Sequence, residues 1–150
     1  MKKELTQQLI RKYPKLFNEL DEVRCGDGWY NLIDILCQLL QGYADRNTVD
    51  PQAQTAFAQV KEKFGVLSIY YVGMPHDYIF GVTAFAEKLS AQVCEITGEK
   101  GTMHRLSTGT IKTLSRGVAE PMLATPIAPY NVTSDVLVTE RADVIAQDGK

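Results

Sequence analysis

One glycine-bracketed stretch dominates the sequence: residues 25–30 read Cys25-Gly26-Asp27-Gly28-Trp29-Tyr30 and contain the chain's single tryptophan. Glycine allows backbone angles that are closed to other residues, and an aspartate carboxylate can accept hydrogen bonds from the free amides at a helix start. The pattern predicts a well-buried helix from about Trp29 to Gly42. Its apolar residues recur at helical spacing: Trp29, Ile33, Leu36, Cys37 and Leu40, with Leu32, Ile35 and Leu39 widening the stripe.

The bulk composition is that of a folded, single-domain protein. The 150 residues are 45% hydrophobic, which is ordinary for a globular chain and too apolar for a disordered one. A formal net charge of -2 gives no general basic field, so nucleic-acid binding would need a local patch. The three cysteines lack CxxC spacing, which favours a reduced, cytoplasmic protein. We expect no signal peptide and no membrane span, because the N-terminus is polar and no apolar run approaches about 20 residues.

Two further helices are predicted from apolar spacing. A short amphipathic helix covers residues 3–12 and is limited by Pro14, because the residue before a proline avoids helical angles. A second long helix covers residues 78–96, with Asp77 as its cap and Gly98 as its stop. Its apolar residues recur at helical spacing and predict a buried stripe: Ile79, Val82, Phe85, Ala86, Leu89 and Val93. Residues 45–54 are polar and predict a loop.

Two hairpins complete the predicted architecture. Residues 55–64 fit both helical and strand spacing, but residues 66–72 are rich in β-branched and aromatic side chains, so we favour a hairpin turning near Phe64-Gly65. Residues 102–106 and 110–114 predict a second, smaller hairpin, and residues 132–145 a late strand.

The predicted fold class is α+β. An antiparallel sheet of short hairpins would pack against the two longer helices, with a short N-terminal helix added. We place one globular domain at residues 1–120. Residues 121–150 form a C-terminal extension, partly strand and frayed at its end.

Three pieces of the sequence, in this order, resemble an uncharacterised family of small proteins from tailed bacteriophages and prophages. They are residues 25–30 with the helix that follows, residues 59–67 (QVKEKFGVL) and residues 86–95 (AEKLSAQVCE). The resemblance covers residues 5–119. It implies a phage or prophage origin and does not imply an activity.

The zinc knuckle of that family is degenerate in this chain. Cys94 matches the first knuckle cysteine, whereas Thr97 and Ser115 stand where the family has cysteines, and the later histidine is replaced near Val118. A structural zinc needs four Cys or His ligands, and a hydroxyl is a poor substitute for a thiolate. We therefore predict that no zinc binds. The hairpin at 98–114 would then be held by its own packing and by the tail after Pro121.

Few side chains are candidates for catalysis. His76 with Asp77 is a candidate general base, and Cys25 with Cys37 a candidate redox or metal pair. No nucleophile motif adjoins His76 or the other histidine, His104, so we interpret both histidines as loop or surface residues. The two cysteines are interpreted as a turn thiol and a core thiol. A small hydrolase built on His76 and Asp77 stays open as an alternative.

Two surfaces are candidates for binding. One is the Trp29-Tyr30 edge, which could anchor a partner if the tryptophan were half exposed. The default interpretation is that Trp29 lies in the core. The other is the 59–72 ribbon, where Lys61, Lys63 and Tyr70 bring basic and aromatic groups together, as strands that bind single-stranded nucleic acid do. Acidic Glu62 interrupts this ribbon, so a solvated strand face is its default. Residues that would extend the patch are Arg105, Lys112 and Arg116.

One acidic residue, Asp34, interrupts the apolar helix after Trp29. We expect it to cap, to pair with Lys61 or Lys63, or to face solvent.

The expected function is that of a non-catalytic phage or prophage accessory protein that binds a host or phage macromolecule. A protein is the expected partner. The alternative from another class is a nucleic-acid-binding module that uses the Lys/Tyr ribbon. We expect no catalytic residue, no cofactor and no metal, and the sequence leaves the oligomeric state open.

Overall fold

The structure, a computed structural model, describes residues 1–18, 20–47, 55–73 and 75–129. Four helices and five strands lie within these ranges. The helices are α1 (Lys3–Lys12), α2 (Tyr30–Arg46), α3 (Asp77–Ser90) and α4 (Arg116–Ala119), and the strands are β1 (Ala56–Lys63), β2 (Val66–Val72), β3 (Thr102–Arg105), β4 (Ile111–Leu114) and β5 (Thr125–Pro126). The predicted α+β class is confirmed, with α1 at its predicted bounds. The late strand predicted at 132–145 lies outside the described residues.

The central helix begins with a tight 3-10 turn, Asp27–Trp29, and continues as α2. Its buried residues, Ile33, Leu36, Cys37 and Leu40, follow the predicted stripe. The helix runs to Arg46, so the prediction that residues 45 and 46 belong to a loop is wrong. Polar residues continue a helix readily where one side of it faces water.

Strands β1 and β2 form the predicted hairpin. Lys63 pairs with Val66, and the two turn residues between them, Phe64 and Gly65, have φ of 52° and 81°. Positive φ at both positions is typical of the type I′ turn, whose twist matches that of the strands. A bulge lies between Phe57 and Gln59.

Both edges of this hairpin are covered. On the β1 side, Arg24 pairs in parallel with Lys61, and its amide donates to the Val60 carbonyl at 2.8 Å. On the β2 side, the acceptors are side chains of α3: Leu67 N–H donates to Ser90 Oγ at 2.8 Å, and Ile69 N–H donates to Glu87 Oε1 at 2.9 Å. Covering an edge satisfies backbone groups that would otherwise be available to another strand.

Helix α3 ends at Ser90, six residues before its predicted end at 96. After Ser90 the chain turns, and Val93 pairs with Lys100. Val93 and Glu95 then bind the glycine-rich stretch. The cap also differs from the prediction. His76 Nδ1 accepts from Tyr78 N–H at 3.3 Å, so His76, and not Asp77, is the N-cap of α3.

The second hairpin, β3 with β4, is confirmed and forms a separate sheet with β5 in the order β4-β3-β5. The prediction that the two hairpins share one sheet is therefore wrong. They meet at the first turn, where Thr113 Oγ1 donates to the Gly65 carbonyl at 2.6 Å. The tail contacts this sheet through Ile127 N–H, which donates to the Met103 carbonyl at 3.0 Å.

Candidate binding surfaces

The glycine-rich stretch docks on residues 93–98 and seats the tryptophan. Trp29 is 0% exposed and its Nε1–H donates to the Val93 carbonyl at 2.8 Å. Gly28 N–H donates to the Glu95 carbonyl at 2.8 Å, and Gly26 N–H to Glu95 Oε1 at 2.9 Å. The core placement of Trp29 is confirmed, and its indole offers no exposed surface to a partner.

Residues 26 and 28 must be glycine because backbone atoms of residues 94–98 lie very close to them. Neither residue has a positive φ, so the conformational freedom of glycine is not the reason. A Cβ on Gly28 would lie 2.3 Å from the Cys94 carbonyl oxygen and 2.4 Å from the Gly98 nitrogen. A Cβ on Gly26 would lie 2.2 Å from the Glu95 carbonyl oxygen. Both contacts are with backbone atoms, so a neighbouring side chain cannot move aside to relieve them.

Of the predicted Trp29-Tyr30 edge, only Tyr30 reaches the surface. It is half-buried, and its hydroxyl donates to Gln8 Oε1 of α1 at 3.2 Å. Asp27 binds the same region of the chain, because its Oδ1 accepts from Lys2 N–H at 2.7 Å. Its carboxylate therefore serves this contact and makes no cap for α2.

The turn after Val93 surrounds one thiol, that of Cys94, with hydrogen-bond donors. Cys94 is buried, and burial opposes its thiolate. Hydrogen bonds from the Thr97 hydroxyl and from the amides of Thr97, Ser115 and Ile96 outweigh that effect and lower the pKa of Cys94. Cys94, Thr97 and Ser115 thus converge, with hydrogen bonds joining Cys94 to the other two residues.

The residues of this turn do not fit a structural zinc. They supply one thiol and two hydroxyls, whereas zinc takes four Cys or His ligands. Within the described ranges, no three Cys, His, Asp or Glu side chains cluster as metal ligands. The prediction that no zinc binds rests on this donor chemistry and stays a prediction.

Lys112 is engaged inside the molecule and does not extend the basic ribbon. Its Nζ lies 2.7 Å from Glu62 Oε2 and 2.9 Å from Glu95 Oε2, and its side chain is 25% exposed. Desolvation opposes its charge, but the two carboxylates outweigh this and raise the pKa of Lys112. Arg116 pairs with Glu120, the residue after α4, and its side chain is 91% exposed. Lys112 therefore does not extend the patch. Arg105 and Arg116 are exposed, and their part in it stays a prediction.

The ribbon itself brings its predicted residues to one face. Lys61 and Lys63 are two residues apart on β1, so they share one face with Gln59. Tyr70 pairs with Gln59 and therefore lies on the same face. Lys61 Nζ lies 4.7 Å from the centre of the Tyr70 ring. Phe64, at the hairpin tip, is 60% exposed. Its positive φ is unusual for a bulky residue. The sequence pattern placed Phe64 in the turn but did not mark it as a binding residue.

A second surface, the outer face of α2 and α3, was not predicted. The two helices are antiparallel, because Tyr43 near the end of α2 stacks on Tyr78 near the start of α3, with ring centroids 4.7 Å apart, while Trp29 binds Val93 at the other end. On the side away from the core, Ile35 is 57%, Leu39 44% and Phe85 69% exposed. We call these three residues the outer apolar face.

The placement of these three residues corrects the sequence analysis, which assigned all of them to buried stripes. Ile35 and Leu39 lie one turn apart on α2. Counting turns from the Tyr43–Tyr78 stack puts Leu39 level with Val82, and Ile35 level with Ala86, the residue after Phe85. In each helix the apolar stripe is wider than the side that the sheet covers. This excess width is the feature of the sequence that could have indicated an exposed apolar surface.

The remaining reactive residues have structural roles. Cys25, Cys37 and Cys94 are free and buried, and burial raises the pKa of Cys25 to about 12. His76 is exposed and caps α3. His104 is buried on β3, contrary to its predicted surface position, and its Nδ1–H donates to the Thr102 carbonyl at 2.7 Å.

Asp34 pairs with α1 instead of the predicted Lys61 or Lys63. Lys12 Nζ donates to both carboxylate oxygens at 2.8 Å, and the Tyr13 hydroxyl donates to Oδ1 at 2.7 Å. Burial alone would raise the pKa of Asp34, but the bonds from Lys12, Tyr13 and Gln38 lower it. The residue joins α1 to α2.

Comparison with protein-family models, with curated proteins and with solved structures found no match to this chain. None of the described helices is long and apolar enough to cross a membrane.

Proposed function

We propose that this chain is a non-catalytic accessory protein of phage or prophage type that binds another protein through the outer apolar face. The observation that carries the proposal is the exposure of Ile35, Leu39 and Phe85 on adjacent helices. Large apolar residues exposed together mark interaction sites, whereas single ones are ordinary. Aromatic residues in particular dominate the energy of protein interfaces. The phage or prophage origin rests on the resemblance of residues 25–30, 59–67 and 86–95.

The test compares proteins captured from an infected or lysogenic host by three forms of the full chain. We expect Phe85→Glu to reduce the captured partner at least about tenfold relative to wild type, because a central aromatic residue contributes about 2 kcal/mol or more. Leu123→Glu is the matched control, since Leu123 is 86% exposed and lies beyond α4. Identical captured sets for all three forms would reject the outer apolar face as the site that binds a host or phage protein.

The ribbon supports a second candidate function, binding of single-stranded nucleic acid. Lys61, Lys63 and Tyr70 share one face, and Phe64 stands exposed at its tip. Exposed aromatic rings can stack on bases, and lysines can neutralise phosphates.

Fluorescence anisotropy with labelled single-stranded DNA or RNA tests this candidate. Binding should weaken steeply with salt and should be lost in Phe64→Asn, which suits a type I′ turn. Phe85→Glu should bind as wild type does. Absence of binding at about 50 mM salt would reject this candidate.

A further inference from the structure

The exposed side of α3 carries an aromatic side chain, Phe85, next to a glycine, Gly81. Thr83, Ala86, Glu87 and Ser90 are the buried residues of this helix. Gly81 and Phe85 lie one turn apart on the opposite side. Phe85 is 69% exposed, and a Cβ added to Gly81 would meet nothing within 4 Å. Nothing within the described chain therefore requires glycine at residue 81, although glycine is unfavourable inside a helix.

This arrangement is complementary to itself. Suppose that a two-fold axis passes beside α3 at the level of Thr83, midway between Gly81 and Phe85, so that two copies of α3 run antiparallel. Phe85 of each copy then lies over Gly81 of the other. A ring inserted above a glycine is the close approach that a missing side chain allows.

The charges at the ends of α3 select the same arrangement. Asp77 and Lys88 are both exposed and stand about three turns apart on one face of the helix. Their midpoint falls close to the same level, so the two-fold axis places Asp77 of each copy opposite Lys88 of the other. A parallel pairing would instead oppose like charges. Complementary charges at an interface fix its orientation.

We propose that the partner on this face is a second copy of the chain, in an antiparallel, two-fold α3–α3 dimer. Ile35 and Leu39 are exposed on the adjacent helix and extend the surface that the second copy covers. An interface of this kind is isologous, since the same patch serves on both subunits. The inference rests on the proposed protein-binding role of the outer apolar face and names its occupant.

The test is sedimentation of the full chain over a concentration series up to about 200 µM. We expect a monomer–dimer equilibrium for wild type. Phe85→Glu and Gly81→Leu should each raise the dimer dissociation constant at least about tenfold. A Cβ at residue 81 meets nothing within 4 Å in its own chain, so we expect leucine there to leave the monomer folded, and circular dichroism checks that both variants are folded.

A charge-reversal cycle tests the orientation. Asp77→Lys and Lys88→Asp should each weaken dimerisation, and the double variant should restore it, because each residue faces the other across the axis. A wild-type chain that stays monomeric at every concentration would overturn the proposal. So would a dimer that Phe85→Glu and Gly81→Leu leave unchanged.

The outcomes separate this inference from the proposed function. A monomeric wild type from which Phe85→Glu still removes a captured protein would leave the proposed function standing and reject self-association. Conversely, a dimer lost in Phe85→Glu with an unchanged captured set would support self-association and reject the capture of another protein by this face.

Discussion

Close approach of two backbones determines what the glycine-rich stretch can tolerate. Gly28 lies against the Cys94–Gly98 turn, and its amide binds the Glu95 carbonyl. A methyl group there would have to displace main chain, which in turn carries the acceptor for Trp29 at Val93. One substituted hydrogen atom would therefore disturb the contact that seats the only tryptophan.

We expect Gly28→Ala to lower the free energy of unfolding by about 1–3 kcal/mol, the range for overpacking a filled site. Urea denaturation followed by Trp29 fluorescence measures it. The control is Gly42→Ala within α2, whose added Cβ would meet only the flexible end of Arg46 at 3.5 Å. That variant should be neutral or slightly stabilising. Equal stability of Gly28→Ala and wild type would contradict the close approach.

A second residue-scale prediction concerns pH. The ionised form of Asp34 is held by Lys12 and Tyr13, so its pKa is lowered in the folded protein. A carboxyl whose folded pKa is depressed stabilises the protein above its ordinary pKa, and this contribution is lost as the pH falls through the folded value.

We expect Asp34→Asn to lower stability by about 1–2 kcal/mol at pH 7. The difference from wild type should shrink as the pH falls below about 4. Thermal melts of both forms across this range measure it. Asp45→Asn is the control, since Asp45 is 54% exposed and lies 3.4 Å from Lys15. A difference that stays constant with pH would show that the carboxylate charge is not what stabilises the pair.

At the scale of elements, α3 does for β2 what a further strand would do. Ser90 Oγ accepts from Leu67 N–H and donates to the Glu87 carbonyl at 2.5 Å. Both residues of the β2 contact, Leu67 and Ser90, are buried, so water cannot replace the hydroxyl. A buried amide left without its acceptor costs its full desolvation energy.

Ser90→Ala should therefore lower the free energy of unfolding by about 1–3 kcal/mol. It should also speed hydrogen exchange at Leu67, which NMR can follow at a single amide. The comparison is Ser107→Ala in the exposed turn between β3 and β4, which should change stability by less than about 0.5 kcal/mol. Unchanged protection of Leu67 in Ser90→Ala would mean that another group satisfies that amide.

For the whole molecule, the glycine-rich stretch, the Cys94 turn and the β3–β4 hairpin form one continuous set of contacts. Glu95 links all three, because it binds Gly26 and Gly28 on one side and Lys112 of β4 on the other. Hydrogen bonds and the ion pairs of Lys112 therefore hold these three segments together.

We accordingly expect the melting temperature to be the same with and without a strong chelator, and elemental analysis to find no stoichiometric zinc. A structural zinc would contribute folding energy directly, so its removal would unfold the domain. A chelator-induced loss of the folded signal would contradict this expectation. Lys112→Met leaves the buried Glu95 and the half-buried Glu62 without their cation, so it provides a positive control that should melt at lower temperature.

Local patterns predicted most of the elements. Helix α1, the two hairpins and the core side of α2 follow from apolar periodicity and from turn residues such as Phe64-Gly65, because these signals lie within a few residues of one another. The burial of Trp29 follows from the same kind of pattern. Helix ends were less accurate: α3 stops early because distant residues 26–29 bind the chain that follows it.

The candidate surfaces depended on tertiary packing. Periodicity shows which side of a helix is apolar, but it does not show how much of that side a neighbour covers, so Ile35, Leu39 and Phe85 appeared as core residues. Charge partners are likewise set by distance in space: Asp34 meets Lys12, and Lys112 meets Glu62 and Glu95. The chain's local chemistry therefore specifies its helices and hairpins, whereas their packing determines which apolar residues stay exposed for a partner.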